Sequence, residues 1–157
     1  MRLKFVFVGK TRNRALQGEI AEYHRRLRRY LPADIQELRE ARPGNREEPA
    51  VFRRRQAPRL AELLRKERFY RVVLTEQGRA QTTVDFAAWL EQLLASGRPG
   101  VCFYLGGAFG FDDSVCRQAD YLLSLSPLTF THELARVILL EQVYRALTII
   151  RGETYHY

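Results

Sequence analysis

Segments with strand and helix periodicity alternate along this 157-residue chain, which predicts an α/β fold with a mainly parallel sheet and helices on both faces. Two further observations narrow it. Val101-Cys102-Phe103-Tyr104-Leu105 is apolar at every position, as in a parallel strand covered on both sides. Residues 132–150 are apolar around the whole helix axis, so that helix is expected to bury more than one face. With 46% hydrophobic and 28% charged residues, the composition is that of a globular chain and excludes a disordered or fibrous one. One domain over 1–157 is expected at this length.

Residues 2–8 alternate around Phe and Val, stop at Gly9, and read as the first strand. Leu16, Ile20, Tyr23, Leu27 and Leu31 recur at helical spacing until Pro32, with His24 taken as a surface residue of that helix. Ile35 and Leu38 suit a short strand near 34–40, and a polar loop with Pro43, Gly44, Asn45 and Pro49 follows. A basic helix then runs to about Arg68, and Pro58 is expected to kink or restart it.

Phe69 to Thr75 reads as a buried strand. Thr82 and Asp85 have capping-box spacing ahead of the apolar stripe Phe86, Trp89, Leu90, Leu93, Leu94, which Gly97 ends. After the 101–105 strand, Asp112 or Asp113 caps a short helix, Tyr121 to Leu125 forms a last strand, and helix 132–150 closes the chain with Thr131 as its N-cap. In that helix one apolar face fits the sheet and the other a second subunit, the bland alternative being the core of a monomer.

The net charge is +8 and unevenly spread: residues 1–70 carry 19 Lys/Arg against 9 Asp/Glu, and residues 71–157 carry 7 against 9. A basic front half suits a polyanionic partner such as nucleic acid; a solvated arginine-rich surface is the alternative. No apolar run is long enough to span a bilayer, and 1–9 is too short for a signal peptide, so a soluble cytoplasmic protein without membrane association is expected. Cys102 and Cys116 read as core residues, and no His, Cys and carboxylate spacing resembles a metal site.

Gly106-Gly107-Ala108-Phe109-Gly110 joins a strand to a helix, where backbone amides can approach a ligand closely. The acidic residue of a dinucleotide fingerprint is missing about 20 positions on, and no Gly-Lys-Ser/Thr is present, which argues against nicotinamide and nucleoside triphosphate. Leu125-Ser126-Pro127-Leu128-Thr129-Phe130 carries no charge. Such a loop could hold a flat heteroaromatic ring between apolar groups, or simply lead into the helix cap.

Leu-Gly-Gly-Ala-Phe-Gly at 105–110, Leu-Ser-Pro-Leu-Thr-Phe at 125–130, His132, Arg136, Glu-Gln-Val-Tyr-Arg-Ala at 141–146 and Arg-Gly-Glu-Thr-Tyr-His at 151–156 together resemble the RlmH family of SPOUT-class methyltransferases. The resemblance covers essentially the whole chain. It implies a homodimer with a C-terminal trefoil knot over about 100–157, using S-adenosylmethionine to methylate N3 of a pseudouridine in 23S rRNA of the assembled ribosome. It further implies donor contacts at Leu74, Gly106 and Leu125 through Phe130, a catalytic tail of Tyr155 and His156, and catalytic Arg136 and His132 beside the knot. Thr131, Pro58 and Tyr157 depart from the family pattern without touching the donor loops. A non-catalytic ribosome-binding module on the same fold is the competing expectation, and the chargeless loop is what it leaves without a purpose.

Overall fold

Leu3, Phe5 and Phe7 alternate with Val6 and Val8 along β1 (Arg2–Val8), and both sets are buried, so this strand lies inside the sheet. The computed structural model describes residues 1–155. Its sheet contains β1, β2 (Ala33–Leu38), β3 (Tyr70–Ala80), β4 (Gly100–Leu105) and β5 (Tyr121–Ser124) in the order β2-β1-β4-β3-β5. Every pairing is parallel. The helices are α1 (Arg14–Leu27), α2 (Pro49–Lys66), α3 (Thr83–Ala95), α4 (Asp113–Cys116) and α5 (His132–Ile150).

Two apolar layers follow from the two-residue period of the strands. On one face Leu3, Phe5, Phe7, Val72, Val101 and Phe103 pack with Leu27 of α1, Leu90 of α3 and Leu139, Leu140 and Val143 of α5. On the other, Val6, Val8, Val73, Cys102 and Tyr104 meet Ala57, Leu60 and Leu64 of α2 and Val115 of α4. Phe5 and Phe103 stack at 5.4 Å between ring centroids on neighbouring central strands. Truncating a ring so enclosed costs about 3–5 kcal/mol.

The helix α5 packs on the sheet and against both α1 and α3. Much of its apolar perimeter is therefore covered within one chain. Leu134 still stands 40% exposed, with half-buried Val137 and Ile138 beside it on the helix.

Some boundaries differ from the sequence reading. The helix α1 stops at Leu27, four residues before the end of its apolar stripe, where Tyr30 and Leu31 N–H groups both turn back to the Leu27 carbonyl. Pro58 does not interrupt α2; it faces solvent while Phe52, Gln56, Ala57, Leu60 and Leu64 bury the opposite side. His24 is half-buried and its Nε2 lies 2.8 Å from the Ala33 carbonyl, so it ties α1 to β2. The strand β3 runs past Thr75, with both Leu74 and Arg79 opposite Leu123 and the residues between them thrown out as a bulge. Among the described residues no helix is long and apolar enough to cross a membrane.

Candidate active site

A parallel sheet delivers its strand ends to one edge, and the bulge of β3 and the loops after β4 and β5 meet there. They line a cavity of about 640 Å³. The floor and one side come from Leu74 to Gln77 and from Leu105 to Asp113; the other side comes from Leu125, Ser126, Leu128, Thr129, Phe130 and the first turn of α5 at His132 and Ala135.

Each loop is shaped by its own residues. Gly110 N–H donates to the Gly107 carbonyl at 3.0 Å, closing a tight turn. A Cβ on Gly106 would lie 2.9 Å from the Gly110 backbone, so the main chain would have to shift to admit one, whereas a Cβ on Gly107 would displace the Glu40 carboxylate. In the uncharged loop, Leu128 N–H donates to Ser126 Oγ at 2.9 Å and Ser124 Oγ donates to the Ser126 carbonyl at 3.1 Å. The hydroxyls thus satisfy backbone groups and leave the apolar side chains free. Pro127 and Leu128 are exposed, and Pro127 stands outside the cavity lining.

The lining contrasts with the basic protein around it. Glu76, Asp112 and Asp113 face one guanidinium, that of Arg53, which also donates to the Phe109 carbonyl at 3.3 Å. Asp112 caps α4 by accepting from Ser114 N and Oγ, and these bonds hold its carboxyl below the usual range. The wall therefore carries net negative charge, which favours a cationic ligand. Among the described residues no group of His, Cys and carboxylates could hold a metal ion.

Of the residues expected to be catalytic, the three that are described, His132, Arg136 and Tyr155, do not sit together within one chain. His132 lines the cavity, and burial together with the Arg136 charge pulls its pKa below 6.5, so the imidazole is neutral at pH 7. Arg136, one turn on, is wholly buried: it donates to Thr11 Oγ1 and to the Val8 carbonyl, both at 2.8 Å, and its guanidinium covers the Phe7 ring at 5.0 Å. Tyr155 packs on Tyr144 at 4.8 Å between centroids, under Arg145, near the far end of α5. Twelve residues separate His132 from Tyr144, which is about 18 Å along a helix axis. His156 lies outside the described residues.

Sequence reasoning singled out the glycine loop 106–110 but missed Arg53, Thr75 to Gln77 and Phe111 to Asp113 as cavity residues. The 75–77 and 111–113 segments adjoin positions already singled out and could have been found by extending them. Arg53 had no local signal, because it is the packing of Phe52 on Phe109, at 5.3 Å between centroids, and the bond of Arg53 itself to the Phe109 carbonyl that bring α2 to the glycine loop.

Comparisons with known proteins bear on this geometry. A family model described as "Predicted SPOUT methyltransferase" matches residues 1–156. A Geobacter metallireducens protein named ribosomal RNA large subunit methyltransferase H is 45% identical over 157 residues, all of this chain and 99% of that protein. Its namesake in Geobacter sulfurreducens is 40% identical over the whole of both chains, and one in Coprothermobacter proteolyticus is 37% identical over 99% of each. Among solved structures, a probable methylase family protein from Haemophilus influenzae Rd KW20 superposes with a TM-score of 0.54 at 10% identity, over 99% of this chain and 70% of that one, a likeness of fold alone. A parallel sheet with its cavity at the β3 bulge and the β4 and β5 loops, matched over residues 1–156 by the family model and by relatives of equal length, makes this chain a member of the SPOUT methyltransferase family.

Proposed function

We propose that the chain is an S-adenosylmethionine-dependent methyltransferase acting on N3 of a pseudouridine in 23S rRNA of the assembled ribosome, as a cytoplasmic homodimer of one catalytic domain per chain. The observation that carries this is the cavity itself: an uncharged loop, a glycine loop and a net negative wall enclose one space of nucleoside size. The residues fit the donor. Leu125, Leu128 and Phe130 offer apolar surface to an adenine, Gly106 and Gly107 admit close backbone approach, and Glu76, Asp112 and Asp113 suit a sulfonium cation. When bound there, S-adenosylmethionine supplies an electrophilic methyl group.

The chain's own part is to hold the acceptor base and remove its N3 proton. His132, neutral and at the cavity wall, can take a proton directly or through water. Arg136 touches nothing in the cavity and acts as a positioning residue, fixing the start of α5 against the end of β1 and Thr11. Tyr155 and His156 belong to a tail that serves the cavity of the other protomer, since Tyr155 stands about 18 Å along α5 from its own. Leu134, Val137 and Ile138 supply apolar surface for that dimer. The knot over about 100–157 belongs to the same proposal, supported by the match of the family model to residues 1–156.

Calorimetric titration with S-adenosylmethionine tests the reading. Saturable binding, lost in Gly106→Val, is expected; failure of the intact protein to bind, with and without ribosomes, would favour a non-catalytic ribosome-binding module.

A further inference from the structure

Two clusters of exposed arginine occupy opposite edges of the sheet. One is at the C-terminal end of α1, where Arg25, Arg28 and Arg29 project beside the start of β2. The other stands on the edge that bears the cavity, in the loops after β1 and β2, and comprises Lys10, Arg12, Arg39, Arg42 and Arg46. The formal charge of the front half does not say which of them meets a polyanion.

The second cluster is built rather than merely solvated. Its loop, residues 39–48, is laced to α2 by two arginines of that helix. Arg59 Nη1 donates to the Arg39 carbonyl at 2.9 Å, and Arg55 Nη2 donates to the Arg42 carbonyl at 3.0 Å. Arg55 also grips the Glu47 carboxylate with Nε and Nη2, both at 2.9 Å, and Glu47 accepts from Gly44 N–H at 2.7 Å. The two α2 arginines and Glu47 thus fix the backbone, while Arg39, Arg42 and Arg46 stay exposed with no carboxylate within salt-bridge distance among the described residues. Arg46 is held at φ 61°, a left-handed conformation that a side-chain-bearing residue adopts at a cost. At the other edge Arg25 is already engaged by Glu22, with contacts of 2.7–3.0 Å.

The loop also continues into the cavity wall. The Glu40 carboxylate is wedged against Gly9 and Gly107, and burial raises its pKa. Arg53, near the start of α2 directly after the loop, lines the cavity.

We infer that Lys10, Arg12, Arg39, Arg42 and Arg46 form the phosphate-docking rim for the RNA substrate, and that the α1 cluster does not. The inference rests on the reading of the chain as an rRNA methyltransferase. A loop whose main chain is already ordered presents several guanidinium groups to a phosphate backbone without the cost of ordering that main chain on binding, and it does so beside the cavity where a base must enter. The rim itself reads no sequence; it sets where along the RNA the cavity opens.

The test compares Arg39→Ala/Arg42→Ala/Arg46→Ala with Arg28→Ala/Arg29→Ala, measuring affinity for purified ribosomes at several salt concentrations and, separately, for S-adenosylmethionine. For the loop triple, ribosome affinity should fall more than about tenfold and the slope of log K against log salt should flatten by about 2–3. Its donor affinity and thermal midpoint should stay those of the intact protein, and the Lys triple at the same positions should restore most of the binding. The α1 pair should lose less than about twofold. Equal losses in both variants, or a loss confined to the α1 pair, would overturn the inference. Absence of ribosome binding by the intact protein would instead remove the functional reading beneath it.

Discussion

Arg136 Nη1 donates to Thr11 Oγ1 at 2.8 Å across 125 residues of sequence, with the guanidinium entirely shielded from solvent. Glu37 Oε1 is 3.8 Å away and the Arg136 Nε has no partner, so this is a buried cation held by hydrogen bonds and one distant carboxylate. Removing it should be expensive, because the Val8 carbonyl and Thr11 hydroxyl lose their donors and a cavity opens over Phe7. Arg136→Ala should lower unfolding free energy by about 3–5 kcal/mol in urea titration. Arg136→Met, which refills the volume, should recover part of that loss. If both variants were as stable as the intact protein, the buried guanidinium would not be holding the start of α5.

Gly106 tests the glycine loop. Its missing Cβ would stand 2.9 Å from the Gly110 backbone, which cannot rotate away as a side chain can. Gly106→Ala should therefore weaken S-adenosylmethionine binding more than about tenfold in calorimetry while the far-ultraviolet spectrum is unchanged. Undiminished affinity would place the donor elsewhere.

Most of the fold was legible because its signals are local. Period-two and period-3.6 apolar patterns, the caps at Thr82, Asp112 and Thr131, and the all-apolar run at 101–105 each act within a few residues. The extension of β3 to Ala80 was not legible, since residues 79–80 pair with β5 more than forty positions away. The burial of Arg136 was hidden for the same reason: nothing near it in sequence supplies its partners, Val8 and Thr11. In the cavity, the uncharged and glycine loops could be read from composition, but Arg53 arrives through tertiary contacts with Phe109, the packing of Phe52 on its ring and its own bond to the Phe109 carbonyl. Nor could spacing alone set Tyr155 at the opposite end of α5 from His132, because the direction of the chain after Ile150 is fixed by the aromatic contacts of Tyr144 and the Tyr30–Glu153 hydrogen bond.

His132 carries a pH signature. Its pKa in the fold lies below the 6.5 of an unperturbed imidazole, mainly through burial, so below pH 6.5 the unfolded chain takes up a proton that the folded chain resists. Stability is unaffected by this residue above that pH and falls as the pH drops from 6.5 toward the folded value. Urea midpoints at pH 7.5 and 5.5 should show a larger drop for the intact protein than for His132→Gln. A drop of the same size in both would mean that other groups account for it.

The division of the site between two chains has its own test. A variant truncated after Gly152 keeps the cavity but lacks the tail, whereas Gly106→Val keeps the tail and loses the cavity. Each alone should transfer methyl groups at under about 1% of the normal rate. Mixed and allowed to exchange subunits, they should recover a substantial fraction, because one hybrid site then has both parts. No recovery despite demonstrated exchange would return the tail to its own chain.

Methyl transfer to large-subunit rRNA is the activity on which every residue role above depends. The most direct measurement incubates the protein with ribosomes that lack the modification and S-adenosylmethionine labelled in its methyl group, then identifies the labelled nucleoside after digestion by mass spectrometry. The expected result is one methyl group per large subunit, on N3 of a pseudouridine, absent with Gly106→Val. Binding of ribosomes and donor with no label entering the RNA would contradict it.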